Sequence, residues 1–185
     1  MRDKYEMQLR KLHAEMIEMG TMIEQAIETA IKALVAQDTE LAKKAIEADD
    51  AIDHQEREIE NLCLKLFLTQ QPVAGDMRKI SAALKMITDM ERIGDHASDI
   101  SELTLCMAGT PYIKKLEHIQ QMAKETIVML VSSIEAYVNA DVKKAKSVIE
   151  HDDIVDDLFD KVKNELITMI HENPDDGEQA CDLLM

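Results

Sequence analysis

Tryptophan is absent from this 185-residue chain, and aromatics amount to two Phe and three Tyr. Glycine (5) and proline (3) are scarce as well. Few aromatics and few chain breakers disfavour a sheet-rich fold with many tight turns. The five glycines, Gly20, Gly75, Gly94, Gly109 and Gly177, stand far apart. No Gly-rich phosphate loop can be built from them, and neither G-x-S-x-G nor Cys-x-x-Cys occurs. Basic residues are outnumbered, 21 Lys+Arg against 37 Asp+Glu, for a net charge of −16. A phosphate backbone needs clustered Lys and Arg, so nucleic acid is not an expected partner. The longest apolar runs, Leu62 to Leu68 and Thr126 to Val131, fall far short of the ~18 residues a membrane span needs. The opening stretch MRDKYEMQLRKLHAEM lacks the apolar core of a secretory leader, so a cytoplasmic protein is expected. Cys63, Cys106 and Cys181 are odd in number and widely spaced, which reads as three small core residues of a reducing compartment.

What remains is apolar mass in Ala, Ile, Leu and Met, a composition suited to packed helices. Leu9, Leu12, Met16, Met19, Ile23, Ala26, Ala30 and Leu34 step by three or four, and a further stripe runs through Ile80, Ala83, Ile87, Met90, Ala97 and Ile100. Such stripes mark amphipathic helices. Breaks at Asp38, Gln70–Asp76, Ala108–Pro111, Asn139–Asp141 and Asn173–Gly177 divide the chain into predicted helices over 4–36, 39–69, 76–107, 112–139 and 141–172, with a sixth from about 177.

The chain also repeats itself. Ile46-Glu47-Ala48-Asp49-Asp50-Ala51-Ile52-Asp53 matches Ile149-Glu150-His151-Asp152-Asp153-Ile154-Val155-Asp156 at an offset of 103. The pattern predicts an all-α fold of two tandem pseudo-symmetric three-helix bundles, residues 1–108 and 109–185, with the last helix incomplete. Leu183 and Leu184 are then expected to be exposed without packing partners.

Charge is concentrated in Asp89-Met90-Glu91-Arg92-Ile93-Gly94-Asp95-His96-Ala97-Ser98-Asp99. Glu91, Asp95 and Asp99 follow one another at steps of four, each only ~40° further round a helix. Leu84 and Ile87 project within ~40° of Glu91, so this acidic stripe borders the apolar face. Asp49, Asp53, Glu56 and Glu60 form a second row beside Ala45 and Ile52. Two readings stand: solvated faces of an acidic bundle, or a carboxylate site for Mg²⁺, Mn²⁺ or iron, which favour oxygen ligands. Asp152 and Asp156 repeat the Asp-x-x-x-Asp element. A ferritin-like di-iron site is excluded, because no His has Glu three residues before it. His96 falls on the far side of its helix from Glu91, and His151 reads as an ordinary residue rather than a ligand. Mid-helix Gly94 suits a close helix approach beside the acidic row. A metal-dependent helical phosphohydrolase and a purely structural acidic bundle are the alternative functions.

The motifs Met19-Gly20, Ile46-Glu47-x-Asp49-x-x-Ile52-Asp53, Gln70-Gln71-Pro72-Val73-Ala74-Gly75-Asp76-Met77-Arg78 and Met90-Glu91-Arg92-Ile93-Gly94-Asp95-His96 together resemble the PhoU family across essentially the whole chain. That resemblance implies a non-enzymatic cytoplasmic regulator of phosphate uptake and a negative regulator of the phosphate-starvation response. It implies an adaptor, often dimeric, between the phosphate transporter's ATPase subunit and a sensor histidine kinase. It further implies metal ions at (Glu/Asp)-x-x-x-Asp motifs, matched here by Asp49, Asp53, Glu91 and Asp95, with Asp99 extending the row and Asp152 and Asp156 in the second repeat. The second Glu-Arg-Ile-Gly-Asp-His copy is missing, so by this resemblance the chain looks shortened by about one helix.

Overall fold

Long amphipathic stripes separated by only a few breakers leave helix hairpins as the simplest way to cover the apolar faces. The computed structural model, which describes residues 2–69 and 73–185, has that form. Gln70, Gln71 and Pro72 of the third motif lie outside the described residues. The elements are α1 (Arg2–Ala36), α2 (Thr39–Glu47), α3 (Asp49–Thr69), α4 (Ala74–Met107), α5 (Glu117–Val138), α6 (Val142–Glu172), a 3-10 turn (Pro174–Asp176) and α7 (Gly177–Asp182). No strand occurs among the described residues.

Two boundaries differ from the sequence pattern, for identifiable reasons. The segment 39–69 is two helices, because the chain breaks at Ala48. Asp49 and Asp50 then occupy the first turn of α3, where acidic side chains meet the positive end of the helix dipole. Ala45 therefore belongs to α2 and is not on the helix that carries Asp49 and Asp53. The fifth helix starts at Glu117 rather than 112 because the residues before it are held by distant side chains. Tyr112 donates its hydroxyl to Leu34 O, and Gln179 accepts from Ile113 N at 2.7 Å while donating to Pro111 O.

The α1–α2 and α5–α6 corners are the repeat made visible. Gln37 and Ala140, 103 residues apart, both adopt left-handed backbone at φ 51° and 52°. Asp38 N then bonds Ala33 O, and Asp141 N bonds Ala136 O. Each Asp caps the next helix, Asp38 accepting from Leu41 N and Asp141 from Lys144 N, both at 3.0 Å.

The main core gathers α1, α3 and α4 through residues such as Leu12, Met16, Ile23, Ile52, Ile59, Ile80 and Ile87. Leu130 and Ile134 of α5 join the same cluster. Ile134 rests against Gly20, where a side chain on α1 would collide with it, so α1 and α5 approach closely at that point. A second cluster is built from Leu34, Met107, Leu116, Val162, Leu166, Ala180 and Leu183. Leu183 is thus buried, against the sequence expectation, because α7 folds its Ala180 and Leu183 side inward. Leu184 stays exposed. Of the cysteines only Cys63 is a core residue, and burial pushes its thiol up to about 11. Cys106 and Cys181 are exposed, on the outward sides of α4 and α7.

A candidate metal site between the third and fourth helices

The acidic rows lie on neighbouring helices, and three features draw them together. Gly94 has no side chain, and a Cβ there would sit 3.1 Å from Ile52 Cγ2 and 3.6 Å from Asp49 Oδ1. Its absence lets α4 lie tightly on the first turns of α3. Ile52, only 1% exposed, anchors the apolar side of the same seam. One turn further on, Thr88 Oγ1 lies 3.4 Å from Glu56 Oε1 across the helices.

Asp53 from α3 and Glu91 and Asp95 from α4 consequently converge. Each is half-buried, and each offers one carboxylate oxygen lying within 4.8 Å of the others. Oxygens sharing one hard cation at ~2.0–2.6 Å stand no more than about 4–5 Å apart. The cluster is therefore compact enough to hold a metal ion.

Asp49 sits beside these three. Its Oδ1 is buried and has no hydrogen-bond partner. A buried carboxylate oxygen left in that state costs free energy that a cation would recover. Burial, followed by the charges of Asp95 and Asp53, raises the Asp49 carboxyl above its ordinary value. Burial also raises Glu91, with Asp95 the next cause and Glu56 and Asp53 after it. Both directions describe negative charges held against their mutual repulsion. Arg57 Nη2 lies 3.1 Å from Asp53 Oδ2 and offsets part of it, but on an exposed side chain. The donors are all carboxylate, which suits Mg²⁺, Mn²⁺ or iron and not a thiolate- or imidazole-seeking metal.

The other sequence candidates are placed differently. Asp99 is exposed at the far end of the row, 3.5 Å from His96 Nδ1, although its charge is still felt at Asp49. Asp152 and Asp156 are exposed on α6, and among the described residues they join no carboxylate cluster. His96 is on the surface, as the helical wheel places it. His151 is half-buried, with Nε2 2.7 Å from Glu125 Oε2, tying α6 to α5. Another polar tie was not legible in the sequence: Glu165 of α6 pairs with Lys114, and its second oxygen lies 3.1 Å from His118 Nδ1. No spacing rule connects residues 51 positions apart; only the repeat could have suggested that this loop must return to α6.

Comparison with known proteins gives this geometry its setting. The PhoU domain matches residues 16–104 and 119–185. The phosphate-specific transport system accessory protein PhoU homolog of Clostridium acetobutylicum is 36% identical over 181 residues, covering 97% of this chain and 83% of its own. The Aquifex aeolicus homolog is 35% identical over 176 residues, covering 95% and 80%. The crystal structure of PhoU from Pseudomonas aeruginosa superposes with a TM-score of 0.91 at 26% identity, over 97% of this chain and 87% of that one. The Streptococcus pneumoniae phosphate transport system regulatory protein PhoU shares the fold at a TM-score of 0.87. With both acidic helices inside the matched segments, the chain belongs to the PhoU domain family.

Proposed function

We infer that this protein is a non-enzymatic, cytoplasmic accessory regulator of phosphate uptake that binds metal ions at the α3–α4 seam. The convergence of Asp53, Glu91 and Asp95 carries the metal half of this inference. The role of its relatives, named as accessory proteins of the phosphate-specific transport system, carries the other half. Asp49 completes the inner ligand set, Asp99 serves at its rim, and Asp152 and Asp156 are the α6 contribution to an equivalent site in the second repeat. Residues 1–108 and 109–185 are the two repeat units. As a homodimer the protein links the transporter's ATPase subunit to the sensor histidine kinase and represses the phosphate-starvation response.

The bound cation supplies positive charge that relieves repulsion between the two rows. The protein's own part is to hold four carboxylates near one point, which Gly94 and Ile52 do by fixing the distance between α3 and α4. The seam then stays closed, and the outer surfaces of both helices keep one shape for a partner to read.

A host strain lacking its own PhoU member, complemented with this chain, tests the whole reading. Starvation-gene expression in phosphate-rich medium is expected to fall with the parent protein and to stay high with Asp53→Asn/Glu91→Gln at equal protein level. Repression by both proteins alike removes the metal site from the function. Absence of repression by the parent removes the regulatory role.

A further inference from the structure

The first bundle ends in a surface that is both apolar and basic. The start of α1, the end of α3 and the start of α4 meet there, since the chain runs up, down and up again through these helices. The starts of α1 and α4 lie close enough for Asp76 to act on Tyr5: burial and then the charge of Asp76 push the Tyr5 phenol up to about 12. Five apolar side chains stand out from this end, Met7 (60% exposed), Leu64, Leu68 (84%), Val73 (63%) and Met77. Leu68 stands in the last turn of α3 and Val73 at the N-cap of α4.

The charge of the same end is reversed. Across residues 4–11, 64–68 and 73–79 there are six basic residues, Lys4, Arg10, Lys11, Lys65, Arg78 and Lys79, against two acidic ones, Glu6 and Asp76. All six basic residues are exposed. These stretches therefore carry +4 in a chain of −16, leaving −20 on everything else.

We propose that this tip docks on an anionic lipid surface. Projecting Leu, Val and Met side chains ringed by Lys and Arg match the two requirements of a peripheral membrane contact, apolar insertion and attraction to acidic headgroups. A protruding tip fits a broad lipid surface better than it fits a partner helix, which needs a groove to lie in. The remaining −20 is repelled by the same surface, so the molecule is steered to land on this end. The long axis of the first bundle then stands away from the lipid. Glu91 lies 14 residues beyond Met77, roughly 20 Å along α4, so the metal seam stays clear of the headgroups. The proposal does not depend on that seam holding a metal.

The test is flotation of the purified protein with vesicles of phosphatidylcholine alone or with about one third phosphatidylglycerol, in a chelator so that no divalent ion bridges acidic protein to lipid. The parent is expected to float with the phosphatidylglycerol vesicles and to stay behind with phosphatidylcholine or in about 0.5 M salt. Arg10→Glu/Arg78→Glu is expected to weaken binding at least about tenfold, and Leu68→Ser/Val73→Ser to weaken it severalfold. Circular dichroism checks that both remain folded. Because the chain has no tryptophan, Val73→Trp provides a single reporter whose emission shifts to the blue on vesicles, whereas Val35→Trp, near the other end of α1, does not shift. Failure of the folded parent to bind phosphatidylglycerol vesicles overturns the proposal and leaves the tip to a protein partner. Undiminished binding by the charge-reversed variant, or a blue shift at position 35 and not at 73, overturns it as well. Loss of metal binding by Asp53→Asn/Glu91→Gln with vesicle binding intact separates this result from the metal reading.

Discussion

Replacing Asp95 by Asn should stabilise the metal-free protein and destabilise the metal-loaded one relative to the parent. The oxygens of Asp53, Glu91 and Asp95 lie within 4.8 Å of one another. At that distance two unit charges repel by ~0.9 kcal/mol even at the dielectric of water. Asn at position 95 removes two of the three pairwise repulsions, roughly 1–2 kcal/mol after allowing for salt. For a chain of this length that is a rise of about 2–8 °C in melting temperature. A cation at one hundred times its dissociation constant stabilises the parent by about 2.7 kcal/mol, and a site that has lost one of its carboxylates gains much less. Thermal melts of both proteins in chelator and in Mn²⁺ should therefore cross: variant above parent without metal, parent above variant with it. Acidification of the chelated parent acts in the same direction as the substitution. Asp49 and Glu91 have folded-state values raised above the unfolded ones, so their protonation favours the folded state, and the stability they withhold at neutral pH returns as pH falls through those raised values. A variant that melts below the parent in chelator, or that gains as much from Mn²⁺ as the parent, refutes the shared-cation reasoning.

Three further outcomes are expected. Gly94→Leu places a branched side chain against Ile52 and Asp49 and should cost about 1–3 kcal/mol in urea denaturation, together with weaker Mn²⁺ binding by calorimetry. Ala140→Gly relieves a left-handed alanine and should raise the melting temperature by the equivalent of about 0.5–1 kcal/mol; a fall would show that the corner is not strained. Glu165 is held below its ordinary value chiefly by its hydrogen bond to Lys114, so the stability from that pair is present above the usual carboxylate range and lost as pH falls below that range through the lowered value. Between pH 7 and about 3 the parent should accordingly lose more stability than Lys114→Met, and parallel losses would remove the pair from the balance.

The fold was largely readable because the chain's periods are long and its breakers few. The stripe from Leu12 to Leu34 and the stripe from Ile80 to Ala97 each specify a buried face without ambiguity. The carboxylate steps were equally plain, since i, i+4 spacing on one helix fixes a shared side. What spacing cannot supply is the relative placement of two helices. Gly94 hinted at close approach, but the meeting of Asp53 with Glu91 and Asp95 rests on tertiary packing. The same limit explains the misplaced start of α5, where Gln179 and Tyr112 reach across long separations to hold backbone that local signals would have wound into helix. Cys106 and Cys181 are exposed against the expectation of core residues, because composition speaks for a residue type, whereas position on a helix decides which side faces water.

The matching corners at Gln37 and Ala140 bear on how the chain assembles. Each is closed by bonds between residues only a few positions apart, so either helical hairpin can organise early and without the other. Joining them, through α1 against α4 and α5, must wait for distant segments to find one another. Two hairpins of such similar design also offer one another false mates, and at high concentration a refolding solution of this protein should be prone to exchanging hairpins between molecules.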